Sequence, residues 1–220
     1  MLTRELASQS LPCLHPGDKV YQALQLMNDN QVSHLPITEG DKYMGLISED
    51  DLLQAENDHA EIRELQQSFA DSFVKENDHF LRAVQLAAEN GLTIVPMVNE
   101  ELELTGTLAY SDLLKHASAF MNLKEPGGLL VLEMESNQYS FNQISKLVET
   151  NNAQITQLNT TNDPDTGMML VTIRINKPEI SDIVATFQRY DYSVKYYFGE
   201  ELYTNELKNN YDNLMNYLRI

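Results

Sequence analysis

Ser48 and Asp51 set a hydroxyl and a carboxylate three residues apart, and Ser111 with Asp112 sets the same two groups side by side further along the chain. A carboxylate accepts two hydroxyl hydrogen bonds, and a serine at a helix start offers its own hydroxyl, so both places are suited to holding a polar ligand. The Ser48–Asp51 spacing is equally that of a helix N-cap with an acid at the third helical position, which stabilises a helix with nothing bound. A cap alone needs neither the glycine three residues upstream of Ser48 nor an Asp at the matching place in both segments, so ligand binding is the favoured reading. His34, one of five scattered histidines, stands before a strand proline, where a hydrogen-bonded strand residue is the ordinary reading and a ligand contact the alternative. No CxxC, HExxH, GxSxG or P-loop glycine string occurs, so neither an active site nor a metal site is expected.

The elements that must position these groups are repeated. Gly45-Leu46-Ile47-Ser48-Glu49-Asp50-Asp51-Leu52-Leu53 has its partner 61 positions on, in Gly106-Thr107-Leu108-Ala109-Tyr110-Ser111-Asp112-Leu113-Leu114. In each, a glycine opens an apolar run that reads as a strand, and a polar cluster ending in Asp starts a helix. Upstream, Val20, Ala23, Leu24 and Met27 match Phe80, Ala83, Val84 and Ala87 at an offset of 60, each set forming one face of an amphipathic helix. Leu35-Pro36-Ile37 answers Val95-Pro96-Met97 at the same offset, so the extra residue falls in a hairpin turn, Glu39-Gly40-Asp41 against Asn99-Glu100-Glu101. Each copy reads strand, helix, strand, turn, strand, helix. Some fifty residues struggle to bury a core alone, so the two copies are expected to pack sheet to sheet.

At these residues the chain resembles a tandem pair of CBS domains, a Bateman module, over about residues 1–120. The resemblance implies a ligand cleft between the units, with Ser48 and Asp51 serving one cleft, Asp112 the other, and the Asp holding ribose hydroxyls. His34 would lie on a strand that lines the cleft. Because Ala109 replaces the serine of the first copy, Ser111 is the neighbouring hydroxyl left to the second, and one strong and one weak cleft are expected. Glu49, Asp50 and Asp51 crowd the helix start against phosphate, and Lys19, Lys42, His15 and Lys75 are the candidates to offset them. A monophosphate or an uncharged adenosine derivative is therefore favoured over a triphosphate.

Thirty-three acidic and fifteen basic residues give a formal charge of −18, which repels nucleic-acid phosphates and anionic membranes. The apolar stretches are too short to span a bilayer, and the Met1-Leu2-Thr3-Arg4-Glu5 start lacks a signal peptide's apolar core, so a cytoplasmic location is expected. Cys13 is the sole cysteine and reads as a small buried strand residue. The segment Gln54 to Gln67, rich in Ala, Glu and Gln, reads as a helical connector anchored by Leu65, with Phe69 just beyond.

Lys124-Glu125-Pro126-Gly127-Gly128 ends the paired region. Beyond it come a strand at Leu129–Met134, a helix opened by Ser140 with Phe141, Ile144, Leu147 and Val148 on its apolar face, and strands at Ala153–Asn159 and Met168–Ile175. Asn176-Lys177-Pro178-Glu179 is expected to cap a second helix, with Ile180, Ile183, Val184 and Phe187 inward, and a strand closes at Tyr192–Phe198. That βαββαβ order is ferredoxin-like and resembles an ACT domain, although the loop after the first strand, Ser136-Asn137-Gln138-Tyr139, lacks the glycine of amino-acid-binding members. Residues 202–220 read as an amphipathic helix.

The expected fold class is α/β (α+β), with a pseudo-symmetric CBS pair over 1–124 (copies at about 8–60 and 66–122), a ferredoxin-like ACT-like domain over 129–199, and a C-terminal helix over 200–220. The order resembles CBS–ACT regulators of the acetoin-utilisation type. It implies a regulatory homodimer, not an enzyme, that requires no cofactor, senses AMP, ADP, ATP or S-adenosylmethionine, and couples binding to assembly or to a protein target. The rival expectation is a ligand-free module that mediates oligomerisation.

Overall fold

The computed structural model describes residues 1–6 and 12–199, so the expected C-terminal helix and the start of the first repeat copy lie outside the described residues. The chain divides into two compact units, Met1–Ser118 and Ala119–Ile220.

In unit 1 the first copy contains α1 (Val20–Asn30), β1 (His34–Glu39), β2 (Lys42–Ser48) and α2 (Glu49–Leu53); the second contains β3 (Val74–Lys75), α3 (Phe80–Asn90), β4 (Ile94–Val98), β5 (Leu104–Ala109) and α4 (Tyr110–Phe120). Repetition extends to the register. Leu14 bridges Ile37 in parallel as Val74 pairs with Met97, and both hairpins carry an irregularity, after Ile37 and after Met97. The extra residue of the second turn is absorbed by Leu102 in the left-handed region, at φ 59°, while Asn99 Oδ1 accepts the N–H groups of Glu101 and Glu103.

Each copy has its own core. Val20, Ala23 and Met27 pack with Leu35, Ile37 and Ile47; Phe80, Ala83 and Ala87 pack with Val95, Met97 and Leu108. The helix volumes trade ends between copies, Val20 and Met27 against Phe80 and Ala87, which keeps the summed volume nearly constant, as a close-packed interior requires. Leu46 of the first copy packs into the second core, so the cores interlock. Gly45, at φ 148°, is explained by this packing: a Cβ there would stand 2.8 Å from Cβ of Phe69, the residue before Ala70, which bridges Leu46. That close approach accounts for the glycine without a ligand.

The connector differs from the expected helix. It is a turn followed by a seven-residue 3-10 segment, Ile62–Ser68, broken at Leu65. Asn57 Oδ1 takes the N–H of His59, and the Val20 N–H and Asp18 C=O bond Ala60 and Ile62, so local side-chain bonds and tertiary pairing override helix propensity. Ile62 is fully buried, with Leu65 and Phe69 packed beside its cluster. Cys13 is half-buried rather than buried.

Unit 2 is a four-stranded antiparallel sheet in the order β7-β8-β6-β9, built from β6 (Gly128–Met134), α5 (Phe141–Glu149), β7 (Ile155–Asn162), β8 (Met169–Ile175), α6 (Ser181–Arg189) and β9 (Ser193–Phe198). Placing β8 between β6 and β7 is the split βαβ arrangement. Ile144, Leu147 and Val148 of α5 and Ile183, Val184 and Phe187 of α6 bury against Leu130, Leu132, Val171 and Ile173. Two expectations change here. Phe141 is half exposed, because as the first helical residue it precedes the face that turns to the sheet, and α6 is entered through Ile180 with no side-chain cap.

Candidate functional site

Ser48 closes β2 and caps α2. Its Oγ accepts the Asp51 N–H at 3.1 Å, Asp51 Oδ2 accepts the Ser48 N–H at 3.2 Å, and the Ser48 hydroxyl donates to the same carboxylate oxygen. The described hydrogen bonds of the Asp51 carboxylate thus fall on Oδ2. Ser33 donates its hydroxyl to Glu49 at 3.0 Å, so a second carboxylate of the helix start is also held. With five residues and three acids in its first turn, α2 has little dipole to offer an anion.

His34 is the cross-strand neighbour of Ser48, which brings three of the expected residues, His34, Ser48 and Asp51, to one end of the first copy. Burial lowers the pKa of its half-buried imidazole, opposed by the negative charges of Asp51 and Asp50. Its Nδ1 accepts the backbone N–H of Thr93 at 3.3 Å and lies 3.1 Å from the Thr93 hydroxyl. Thr93 belongs to the second copy. Its Oγ1 also accepts the Ser33 N–H at 3.0 Å.

The matching end of the second copy is built from Ile94 opposite Ala109, followed by α4 with exposed Ser111 and half-buried Asp112. Asp112 is paired with Lys115 at 2.9 Å. The two ends meet through residues 33 and 93: the Ser33 C=O accepts the first N–H of α2, from Glu49, at 2.9 Å, and the Thr93 C=O accepts that of α4, from Tyr110, at 2.9 Å. Sequence reading passed over Thr93. The available signal was its equivalence to Ser33 at the repeat offset of 60, a hydroxyl residue before the strand in both copies.

The basic residues expected to offset phosphate are engaged elsewhere. Lys19 faces Glu61 at 3.4 Å, Lys42 faces Glu103 at 3.5 Å, Lys75 faces Glu100 at 2.5 Å, and His15 Nδ1 lies 3.1 Å from the Thr38 carbonyl oxygen. A cavity of about 170 Å³ opens in unit 1 between Cys13, Thr38 and Asp41 on one side and Thr105 and Thr107 on the other; none of the five expected site residues lines it. Its volume is below the roughly 300 Å³ at which small-molecule sites begin. In unit 2 a hollow of about 760 Å³ borders the loop after β6, lined in part by Tyr139, Tyr190 and Tyr192. Among the described residues no group of three or more His, Cys, Asp or Glu side chains is arranged to hold a metal ion, and no helix is long and apolar enough to cross a membrane.

Residues 4–58 match the family model for the CBS domain. A CBS domain pair/ACT domain protein from Thermotoga maritima is 22% identical, superposes with a TM-score of 0.50, and the match covers 55% of this chain and 99% of that one. The first unit has the fold of a CBS domain pair. The CBS protein CBSX2, solved in complex with AMP, is 19% identical, with 55% of this chain and 98% of that one covered at a TM-score of 0.47. Among curated proteins, the inosine-5'-monophosphate dehydrogenase of Methanocaldococcus jannaschii is 23% identical over 146 residues, 66% of this chain; the match spans only 29% of that protein's length.

Proposed function

We propose that this protein is a cytoplasmic regulatory sensor, without catalytic activity, that binds an adenosine-containing ligand of AMP or S-adenosyl type between its two CBS units. The observation that carries the reading is the joint at which Ser48, Asp51 and His34 of one copy meet Thr93 of the other: hydroxyl, carboxylate and imidazole converge where the repeats are tied together. Asp51 retains a second carboxylate oxygen to accept ribose hydroxyls. The acidic first turn of α2 and the paired state of Lys19, Lys42 and Lys75 favour a ligand of low negative charge. The βαββαβ unit serves as an ACT-like assembly or output domain, and the protein works as a homodimer.

A second reading, a ligand-free oligomerisation module, is favoured by the capping bonds that occupy Ser48 and Asp51 and by the small size of the unit 1 cavity. Thermal-shift titrations with AMP, ADP, ATP and S-adenosylmethionine separate the two. A ligand at a hundred times its Kd adds about 2.7 kcal/mol of stability. AMP or S-adenosylmethionine is expected to act at lower concentration than ATP, and no shift with any of the four supports the ligand-free module. Light scattering is expected to give about twice the chain mass of 25.1 kDa, and a monomer at high concentration refutes the dimer.

A further inference from the structure

The hydrogen bonds at the joint between the copies fix more than position. A backbone N–H only donates, so the Thr93 N–H at 3.3 Å from His34 Nδ1 requires that nitrogen to be unprotonated. The Thr93 hydroxyl oxygen accepts the Ser33 N–H at 3.0 Å, and its single proton is free to point at the same Nδ1, 3.1 Å away. Two donors converging on Nδ1 leave Nε2, on the far side of the ring, as the place for the proton of the neutral imidazole. Burial keeps the ring neutral against the pull of Asp51 and Asp50.

We propose that Thr93, contributed by the second copy, is the positioning residue for the first copy's site: it holds His34 as the Nε2–H tautomer, so that the imidazole presents a hydrogen-bond donor and selects ligands with an acceptor atom at that point. The selection rests on the adenosine reading above; the tautomer does not. For an adenine the acceptor is an unprotonated ring nitrogen, and a ligand that presents an N–H there meets donor with donor. The second copy has no counterpart, because Ile94 stands where His34 does.

The test has two arms on the full chain. Nitrogen-15 spectra of the histidine side chains in the free protein at neutral pH are expected to show His34 with Nδ1 bare and Nε2 protonated. Thr93→Val keeps the backbone N–H and removes the hydroxyl, one of the two donors to Nδ1, so it is expected to raise the share of the other tautomer and to weaken AMP binding by about threefold to tenfold, the worth of one hydrogen bond; Thr93→Ser is expected to restore both. In the second arm, AMP is compared with its 1-, 3- and 7-deaza analogues. One of them is expected to lose about tenfold in affinity against wild type and to be indistinguishable from AMP against His34→Phe. A protonated Nδ1 in the free protein overturns the tautomer assignment whatever binds. Equal affinity for AMP and all three analogues overturns the selection, and so does failure of AMP to bind wild type, which refutes the AMP form of the ligand reading as well.

Discussion

The two copies of unit 1 are the same scaffold carrying different chemistry. In the first, the strand pair that ends the hairpin is His34 opposite Ser48, and the helix that follows is capped by a side chain. In the second the corresponding pair is Ile94 opposite Ala109, and the acid at the third helical position, Asp112, is held by Lys115. Apolar positions keep their place even when their volumes change, because a misplaced core residue costs several kcal/mol. Polar groups at a helix start cost about 1 kcal/mol each and are free to diverge. Both copies share the buried face, and the His34–Ser48 pair, on which the proposed recognition rests, belongs to the first alone.

The largest effects are expected in the two cores. Ile47 and Leu108 occupy equivalent, fully buried positions, so Ile47→Ala and Leu108→Ala are each expected to destabilise by about 2–5 kcal/mol in urea unfolding. Costs differing by more than about 2 kcal/mol would show that the copies do not share the load equally. Asp51→Ala is expected to weaken AMP or S-adenosylmethionine binding by at least about tenfold, the loss of a charged acceptor, with the fold retained. Asp112→Ala is expected to do less; calorimetry in which Asp112 proved the more important would reverse the assignment of the two sites. Smaller effects come from exchanging the caps. Ser48→Ala is expected to cost about 0.5–2 kcal/mol, whereas Ala109→Ser is expected to stabilise α4 and to strengthen any binding at the second site.

The smallest effect is that of pH. The native pKa of His34 lies below its ordinary value of 6.5, so the unfolded chain takes up a proton more readily than the native one. The stability tied to its neutral form is complete above pH 6.5 and is lost as pH falls through the lowered native pKa. His34→Ile gives the first copy the apolar pair of the second. That variant is expected to lose less stability than wild type between about pH 7.5 and about pH 5.5 in urea unfolding, and parallel losses would exclude His34 as a source of the pH dependence.

Residue pattern alone specified the duplicated strand–turn–strand–helix unit, the hairpin that absorbs the extra residue and the βαββαβ order of unit 2, because apolar periodicity and turn chemistry are local properties that repeat with the chain. It also singled out Ser48, Asp51 and His34. It did not reveal that Phe141 stays exposed, that the connector abandons its helix for bonds from Asp18 and Val20, or that Gly45 serves the approach of Phe69. The first follows from the place of Phe141 at the helix start, and the other two depend on neighbours distant in the chain. Thr93 is the clearest case: its type and spacing are those of an ordinary residue before a strand, and only the folding of one copy against the other sets its N–H and hydroxyl on His34 and Ser33, where directional hydrogen bonds require contact within about 3 Å.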